Sequence, residues 1–452
     1  MRTFLIVLSF YASHLFAQSP DEILLDRQLR SYEVKFKNLM ATRGLNYHEG
    51  EVDKVKLLDV IGSYCEDSFG EKNPDAAVLF YHFENDTLYH WLLDVSGVRA
   101  RTQLPVTIDS LLALENTLKY NVYRDNRFGD LSDEVRGQYQ ATTKKYRIQS
   151  KKSIPLISEI LFPPPVATVL ATKKYLVILP ILNLSSFPYA LLRPWRSDKT
   201  LIDQLSFSFA HNFSQFFKEA DPGQINRNYR LSGGKGIFQV QQPLVIGNPL
   251  FADGCTKGLA PLPGAEEEAT RVARLLHTTA TTQANVKLKN IVGELPRTNI
   301  IYLATHGWAD TSDPLDKSYI ALYDSGGCGF LTPRKIQELR LAKEPLVFLS
   351  ACQSGLGSVH DAGIIGLARG FLKAGAQSIT MSLWNVDDQE TATLMRIYLE
   401  ELQKPHLFFP AEHWRQAVLR YQKEHKKDPM YWAAFQNFGV PFRLLAPTYL
   451  QP

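Results

Sequence analysis

Cysteine is scarce in this chain, with 4 cysteines among 452 residues. Cys65, Cys255, Cys328 and Cys352 form no Cys-x-x-Cys pair, and no histidine stands at zinc-ligand spacing from them. The sequence therefore predicts neither a metal site nor any other cofactor. In an oxidising compartment one disulfide among the first three cysteines is compatible with the sequence, but their spacing does not assign the pair.

Charge of one sign, internal repeats and nucleotide-binding loops are also lacking. The net charge is only +4 and is dispersed, so neither nucleic acid nor an acidic membrane is an expected partner. Short basic pairs such as Lys173 and Lys174 are expected to be solvated surface. The glycines of "GGKG" at 233–236 lack the spacing of a phosphate-binding loop, and no repeat is long enough for a solenoid.

A long apolar run is found only at the N-terminus. The segment "MRTFLIVLSFYASHLFAQSPDE" has a basic Arg2, an apolar stretch and small residues near Ala17 before it turns polar. This layout is typical of a secretory signal peptide cleaved after Ala17, and it predicts an exported protein, periplasmic or secreted. No later segment reaches the length of a membrane helix, so no span is expected in the mature chain. A buried first strand or an uncleaved anchor is the alternative interpretation.

The composition that remains is that of a globular protein, 45% apolar and 21% charged, over a length that suggests two or three domains. We expect a signal peptide (1–17), an N-terminal helical segment (18–72), a hairpin and helix subdomain (73–150), a large domain (151–445) and a tail (446–452). The hairpin is predicted from "AAVLFYHF" and "TLYHWLLDV", two β-rich runs joined by "ENDT", and "TIDSLLALENTLKYNVY" predicts an amphipathic helix after them.

In the large domain, short apolar runs alternate with helical stretches. The runs are "YLVILP" (175–180), "PLVIGNP" (243–249), "NIIYLATHG" (299–307), "PLVFLSAC" (345–352) and "SITMSLW" (378–384). Continuous apolar runs suit strands buried on both faces of a mostly parallel sheet, and helices such as "GAEEEATRVARLLH" would cover those faces. The sequence thus predicts an α/β fold with three layers.

Two reactive residues stand where such strands end. His306 stands at the carboxyl end of one run, and Cys352 stands at that of the next, 46 residues later. Catalytic groups gather beyond the carboxyl ends of parallel strands, and one crossover brings two neighbouring ends within side-chain reach. A cysteine nucleophile needs an imidazole and oxyanion donors, and Gly307 lets a backbone N–H approach a substrate without a Cβ in the way. Each residue taken singly also fits ordinary packing; together, at this spacing, they predict a catalytic dyad.

An acidic pair, Asp387 and Asp388, follows the last run in "SLWNVDDQE". One interpretation is helix N-capping ahead of "QETATLMRIYLEEL". The other is a carboxylate that lines a pocket for a basic substrate side chain. One aspartate can cap the helix while the other lines the pocket, so both interpretations stay open.

The motifs "LVILP", "GNPLF", "PLPGAEEEA", "ATHG", "LSACQSGLG", "GIIGLARGFLKAGAQSITMSLWNVDD" and "YWAAFQNFG" occur in the order found in the CHAT peptidases. Over roughly residues 75–443 the chain resembles this family of caspase-like cysteine proteases, which is related to caspases, separases and gingipains. The resemblance implies a caspase-like three-layer sandwich with a mostly parallel central sheet flanked by helices. It implies that Cys352 attacks the scissile carbonyl, that His306 is general base and acid, and that the N–H groups of Gly307 and Cys352 form the oxyanion hole. It also implies that Asp387 or Asp388 receives a basic side chain before the cut.

The expected function is therefore an exported cysteine endopeptidase that acts on protein or peptide substrates after Arg or Lys. A protein activator is a further expected partner. The alternative is a catalytically silent caspase-like interaction module that serves as a partner-binding scaffold, and a third interpretation is a general hydrolase such as a thioesterase. Two features depart from the related families: the 18–72 region shows no helical repeat, and "SACQSG" lacks the glycine that the caspase signature places two residues after the cysteine.

Overall fold

The structure is a computed structural model that describes residues 20–42, 75–111, 113–114, 153–182, 184–213, 228–232, 235–251, 259–310, 313–324, 327–350, 358–360, 363–384, 388–404, 410–426 and 428–440. Its helices, labelled in chain order, are α1 (Pro20–Thr42), α2 (Ser153–Leu161), α3 (Pro164–Leu170), α4 (Leu201–Gln204), α5 (Pro263–Leu275), α6 (Leu288–Glu294), α7 (Pro333–Gln337), α8 (Leu367–Ala374), α9 (Asp388–Leu402) and α10 (Pro410–His425). Its strands are β1 (Ala76–Glu84), β2 (Thr87–Asp94), β3 (Gly97–Pro105), β4 (Tyr175–Leu179), β5 (Ser206–Phe209), β6 (Tyr229–Ser232), β7 (Lys235–Phe238), β8 (Leu244–Pro249), β9 (Thr281–Gln283), β10 (Ile300–Ala304), β11 (Gly307–Trp308), β12 (Tyr319–Asp324), β13 (Gly327–Leu331), β14 (Leu346–Ser350), β15 (Ser358–His360), β16 (Gly363–Ile365), β17 (Ser378–Ser382) and β18 (Phe435–Phe438).

One sheet of eleven strands organises the described residues, in the order β3-β2-β1-β4-β5-β18-β17-β14-β10-β8-β9. Within it, β17, β14, β10, β8 and β9 are parallel to one another, as are β1, β4, β5 and β18. The two sets run in opposite directions and meet at the antiparallel pair β17–β18. Helices flank the sheet in two groups, α5 with α9 and α10, and α7 with α8. The α/β three-layer prediction is confirmed.

All five predicted buried runs are strands of this sheet: β4, β8, β10, β14 and β17. Each consists of side chains that are buried almost end to end, as expected for strands covered on both faces. The sequence reading missed β5 ("SFSF") and β18 ("FQNF"), where polar residues alternate with phenylalanine although every position is buried. The polar side chains are accommodated by hydrogen bonds; Asn437 Oδ1, for example, accepts from Thr380 Oγ1 of β17 at 2.8 Å.

The predicted hairpin is confirmed as β1 and β2, with Asn85 and Asp86 both at φ 51° in its turn. Two consecutive residues with positive φ are what a tight hairpin turn of type I′ requires. A third strand, β3, was not predicted; it pairs with β2 and forms one edge of the sheet. Because β1 pairs in parallel with β4, the hairpin extends the central sheet. Of the helix predicted after it, 108–111 and 113–114 are helical, Thr107 precedes the helix, and the rest lies outside the described residues.

One surface prediction is wrong. Lys173 is buried: its side chain is 4% exposed, and its Nζ lies 2.6 Å from Oδ2 of Asp94, which is 2% exposed. The neighbouring Lys174 behaves as predicted, with a side chain 69% exposed beside Asp75. A buried ammonium has to be paired, and the carboxylate that pairs with Lys173 comes from the end of β2, which the local sequence of the two lysines does not reveal.

No helix of the described residues is long and apolar enough to cross a bilayer alone. The pair α2 and α3, bent by 81°, passes such a test by length and composition only.

Candidate active site

His306 lies at the carboxyl edge of the sheet, two residues beyond the end of β10. The neighbouring strand β14 runs parallel to β10, and Ala304 pairs with Ser350. Cys352 is two residues after Ser350 in the chain and lies outside the described residues. The two predicted dyad residues therefore follow paired strand ends at the same interval.

The imidazole of His306 is oriented by contacts that the sequence did not indicate. Its Nε2 lies 2.8 Å from the backbone carbonyl oxygen of Ala260, and its ring packs against Phe251 with centroids 5.3 Å apart. A carbonyl oxygen only accepts, so Nε2 must carry the proton. The neutral ring then has its lone pair on Nδ1, where it can take a proton from a nucleophile. A backbone carbonyl has no sequence signature, which is why Ala260 was missed.

Gly307 presents its backbone N–H on the side away from the neighbouring strand. Ala321 N donates to His306 O at 2.9 Å, so these two residues form a hydrogen-bonded pair of the antiparallel β11–β12 ladder. Hydrogen-bonded and non-hydrogen-bonded pairs alternate along such a ladder. Gly307, opposite Ile320, is the next, non-hydrogen-bonded pair. Its N–H is therefore available to another acceptor, as an oxyanion donor must be.

A buried tyrosine of β10, Tyr302, packs against the neighbouring strand β14. The Tyr302 hydroxyl donates to Glu268 of α5, and the Tyr302 ring stacks on Phe348 of β14 with centroids 5.9 Å apart. Burial first, and then the charge of Glu268, raise the pKa of Tyr302 well above its usual value. The phenol therefore stays neutral and links helix α5 to the strand that leads to Cys352.

The predicted specificity residues are only partly described. Asp388 is the first residue of α9, so the helix begins within one residue of where the N-capping interpretation placed its start. Asp387 lies outside the described residues. The preceding strand β17 is parallel to β14, so its carboxyl end faces the same edge as His306.

Cys328, on β13, forms a disulfide. Its partner lies outside the described residues, as do the other three cysteines. Among the described side chains no group of three or more His, Cys, Asp or Glu residues is placed to hold a metal ion.

Comparison with known families gives one decisive match. The CHAT domain model matches residues 151–440, well over half of the chain. The chain belongs to the CHAT domain family. Tetratricopeptide repeat protein 28 of Homo sapiens is 24% identical over 241 residues, as is its Mus musculus counterpart, across 46% of this chain. The matched segment is 10% of the length of each of those proteins.

Two solved structures of the Saccharomyces cerevisiae separase–securin complex share the fold. One aligns with a TM-score of 0.56 at 11% identity over 94% of this chain and 34% of that chain, and the other with 0.53 at 10% identity over 86% and 31%. At this identity the likeness shows the fold alone. The central sheet of this CHAT protein is therefore of the caspase-like kind found in separase.

Proposed function

We propose that this CHAT protein is an exported cysteine endopeptidase in which Cys352 is the nucleophile and His306 the general base and acid. The observation that supports it most is the orientation of His306. Its Nε2–H is held by the Ala260 carbonyl, and its Nδ1 is left for a proton from a neighbouring group. Cys352 is tied to Ser350 by two residues, a reach of at most ~7 Å, and Ser350 is the strand partner of Ala304.

In the proposed reaction, His306 Nδ1 takes the Cys352 Sγ proton and the thiolate attacks the scissile carbonyl carbon. The N–H groups of Gly307 and Cys352 stabilise the oxyanion. When the C–N bond breaks, the imidazolium returns its proton to the leaving amine, and a thioester remains on Cys352. A water that gives its proton to His306 then hydrolyses the thioester, which releases the acid and restores the thiol.

We further propose that Asp387 or Asp388 binds an Arg or Lys side chain of the substrate before the cut. The support is topological: β17 ends at the same edge as β10 and β14, and the acids follow it within six residues. A partly desolvated carboxylate facing a guanidinium gives strong selectivity, because bidentate charge-assisted hydrogen bonds have no equivalent for a neutral side chain.

Export is proposed from the N-terminal segment that ends near Ala17. The disulfide on Cys328 supports it, since disulfides persist mainly in oxidising compartments. A protein regulator is proposed by analogy with separase, whose structures contain securin.

The test is digestion of a peptide library by the full chain beside Cys352→Ala and His306→Gln variants. We expect cleavage after Arg or Lys by the parent alone. A parent that cuts after other residues contradicts the specificity proposal. A parent that does not cut, even after addition of proteins from its own source, favours the silent scaffold. Asp387→Asn and Asp388→Asn, assayed on Arg and Ala substrates, identify the carboxylate, whose loss should lower the Arg/Ala ratio of kcat/KM.

A further inference from the structure

We propose that Asn248 is a positioning residue for His306, and that it acts by clamping the segment that carries the Ala260 carbonyl. This inference rests on the proposed peptidase function only for its kinetic consequence. The clamp itself is defined by hydrogen bonds between β8, the 259–262 segment and helix α5.

Asn248 lies near the end of β8, next to Gly247, which pairs with Ala304 of β10. Its side chain uses both of its polar atoms. Oδ1 accepts from the backbone N of Leu262 at 2.7 Å, and Nδ2 donates to Oε2 of Glu266 at 2.8 Å. Asn248 is 4% exposed, so these bonds are made where water competes poorly.

Asn248 contacts the start of helix α5, which has no side-chain cap of its own. Leu262 occupies the N-cap position of α5, and no side chain of its own caps that helix. The Asn248 amide reaches across from β8 and accepts from the N–H of this N-cap residue, a donor at the helix start that has no partner within the helix. Glu266 is in turn held by Gln283 of β9, whose Nε2 donates to the same Oε2 at 2.5 Å. The start of α5 is thus tied to two strands.

Ala260 is two residues before Leu262, so a fixed Leu262 limits where the Ala260 carbonyl can lie. That carbonyl is the group that holds the proton on His306 Nε2. If it moves, the ring loses its preference for this tautomer, and a fraction of molecules carries the proton on Nδ1, which cannot act as a base. Asn248 therefore keeps His306 in its basic tautomer without touching the substrate.

The backbone of Asn248 explains why this residue type stands there. Its φ is +44°, in the left-handed region that asparagine tolerates better than most residues. Asn248→Gly removes both side-chain bonds and introduces no strain at this φ. Asn85→Gly is the matched control, because Asn85 has φ 51° in the exposed β1–β2 turn.

The decisive readout does not need turnover. The full chain is labelled with ¹⁵N-histidine in a Cys352→Ala background, and the His306 signals are identified among the 11 histidines by their loss in His306→Gln. We expect imidazole ¹⁵N shifts typical of the Nε2–H tautomer in the parent and in Asn85→Gly. Asn248→Gly should move them toward a tautomer mixture. Glu266→Ala should do the same, whereas Glu266→Gln, which keeps an acceptor for Nδ2, should not.

In the chain that keeps Cys352, we expect Asn248→Gly to lower kcat by about 10- to 100-fold with KM nearly unchanged. Unchanged ¹⁵N shifts in folded Asn248→Gly and Glu266→Ala overturn the inference, whatever the enzyme assay gives. A parent without peptidase activity contradicts the proposed function and leaves the tautomer readout to decide the role of Asn248.

Discussion

Gly247→Ala should damage both stability and catalysis. A Cβ at this position would lie 2.4 Å from Cβ of Ala269 and 2.6 Å from the carbonyl oxygen of Ala265, both on α5. Ordinary contacts between such atoms begin near 3.4 Å, so the helix has to withdraw from β8 by roughly 1 Å. Overpacking of this kind costs about 1–3 kcal/mol of unfolding free energy.

The same displacement reaches the active site. Ala260 lies three residues before the start of α5, so its carbonyl would move with the helix. A shift of roughly 1 Å lengthens the bond to His306 Nε2 from 2.8 Å beyond hydrogen-bonding distance. Misplacement on this scale costs on the order of 100-fold in rate. We therefore expect Gly247→Ala to lose up to that factor in kcat.

Gly293→Ala is the control. Gly293 is also a non-terminal glycine of a regular element, α6, but nothing lies within 4 Å of its added Cβ. Alanine should stabilise that helix by about 0.5–1 kcal/mol and leave kcat unchanged. Urea midpoints and peptidase kinetics measure both effects. If Gly247→Ala is as stable as the parent, the close packing of α5 on β8 is refuted; if it is unstable but keeps its kcat, the link from helix to His306 is refuted.

Three further outcomes are expected. Asp94→Asn leaves the buried Lys173 ammonium without its carboxylate, and urea unfolding should show a loss of about 3–5 kcal/mol in the free energy of unfolding. Asp75→Asn at the exposed Lys174 pair should cost at most ~1 kcal/mol. Equal losses in the two variants would contradict the difference in burial. Burial lowers the pKa of His90 from 6.5 to about 4, so the unfolded chain binds the proton first as pH falls below 6.5. This histidine should then remove about 1.4 kcal/mol of stability per pH unit down to about pH 4. His90→Gln should make the slope smaller by that amount when urea midpoints are compared between pH 6.5 and 4.5, while His82 and His211, whose pKa values are also lowered by burial, keep contributing. Finally, a nucleophile must be a free thiol, so peptide mapping of unreduced protein should find Cys352 alkylated by iodoacetamide and Cys328 linked to another cysteine; a Cys328–Cys352 disulfide in the active form would refute the dyad.

The alternation of apolar runs was enough to predict the sheet and the place of His306. A strand that is buried on both faces is usually a continuous apolar run, as in β10 and in β14 up to Ser350. The short strands β5 and β18 escaped prediction because their buried serines, Gln436 and Asn437 look solvent-exposed in sequence. Their partners, such as the Phe187 carbonyl that accepts from Gln436 Nε2, lie far away in the chain.

Partners that are distant in the chain also limited what could be predicted about the candidate site. The two residues of the proposed dyad, His306 and Cys352, were recognisable from their residue type and their position after a predicted strand. The groups that orient them were not: the Ala260 carbonyl is backbone, and Asn248 acts only through the register of β8 beside β10. The motifs "GNPLF" and "PLPGAEEEA" were recognised in the sequence, but the hydrogen bond between their residues Asn248 and Leu262 joins two separate segments and could not be predicted from either.

The reversal of strand direction between β17 and β18 determines which strands end at the edge that carries the candidate site. The carboxyl ends of β10, β14 and β17 lie at one edge, whereas those of β4 and β5 lie at the opposite edge. The described residues directly after β4 and β5 therefore begin at the edge opposite His306. Among the described residues, the first half of the sheet contacts the second through bonds such as that of Thr380 of β17 to Asn437 of β18. We accordingly expect substitutions in β1–β5 to change the free energy of unfolding, while substitutions at the ends of β8, β10, β14 and β17 change the rate.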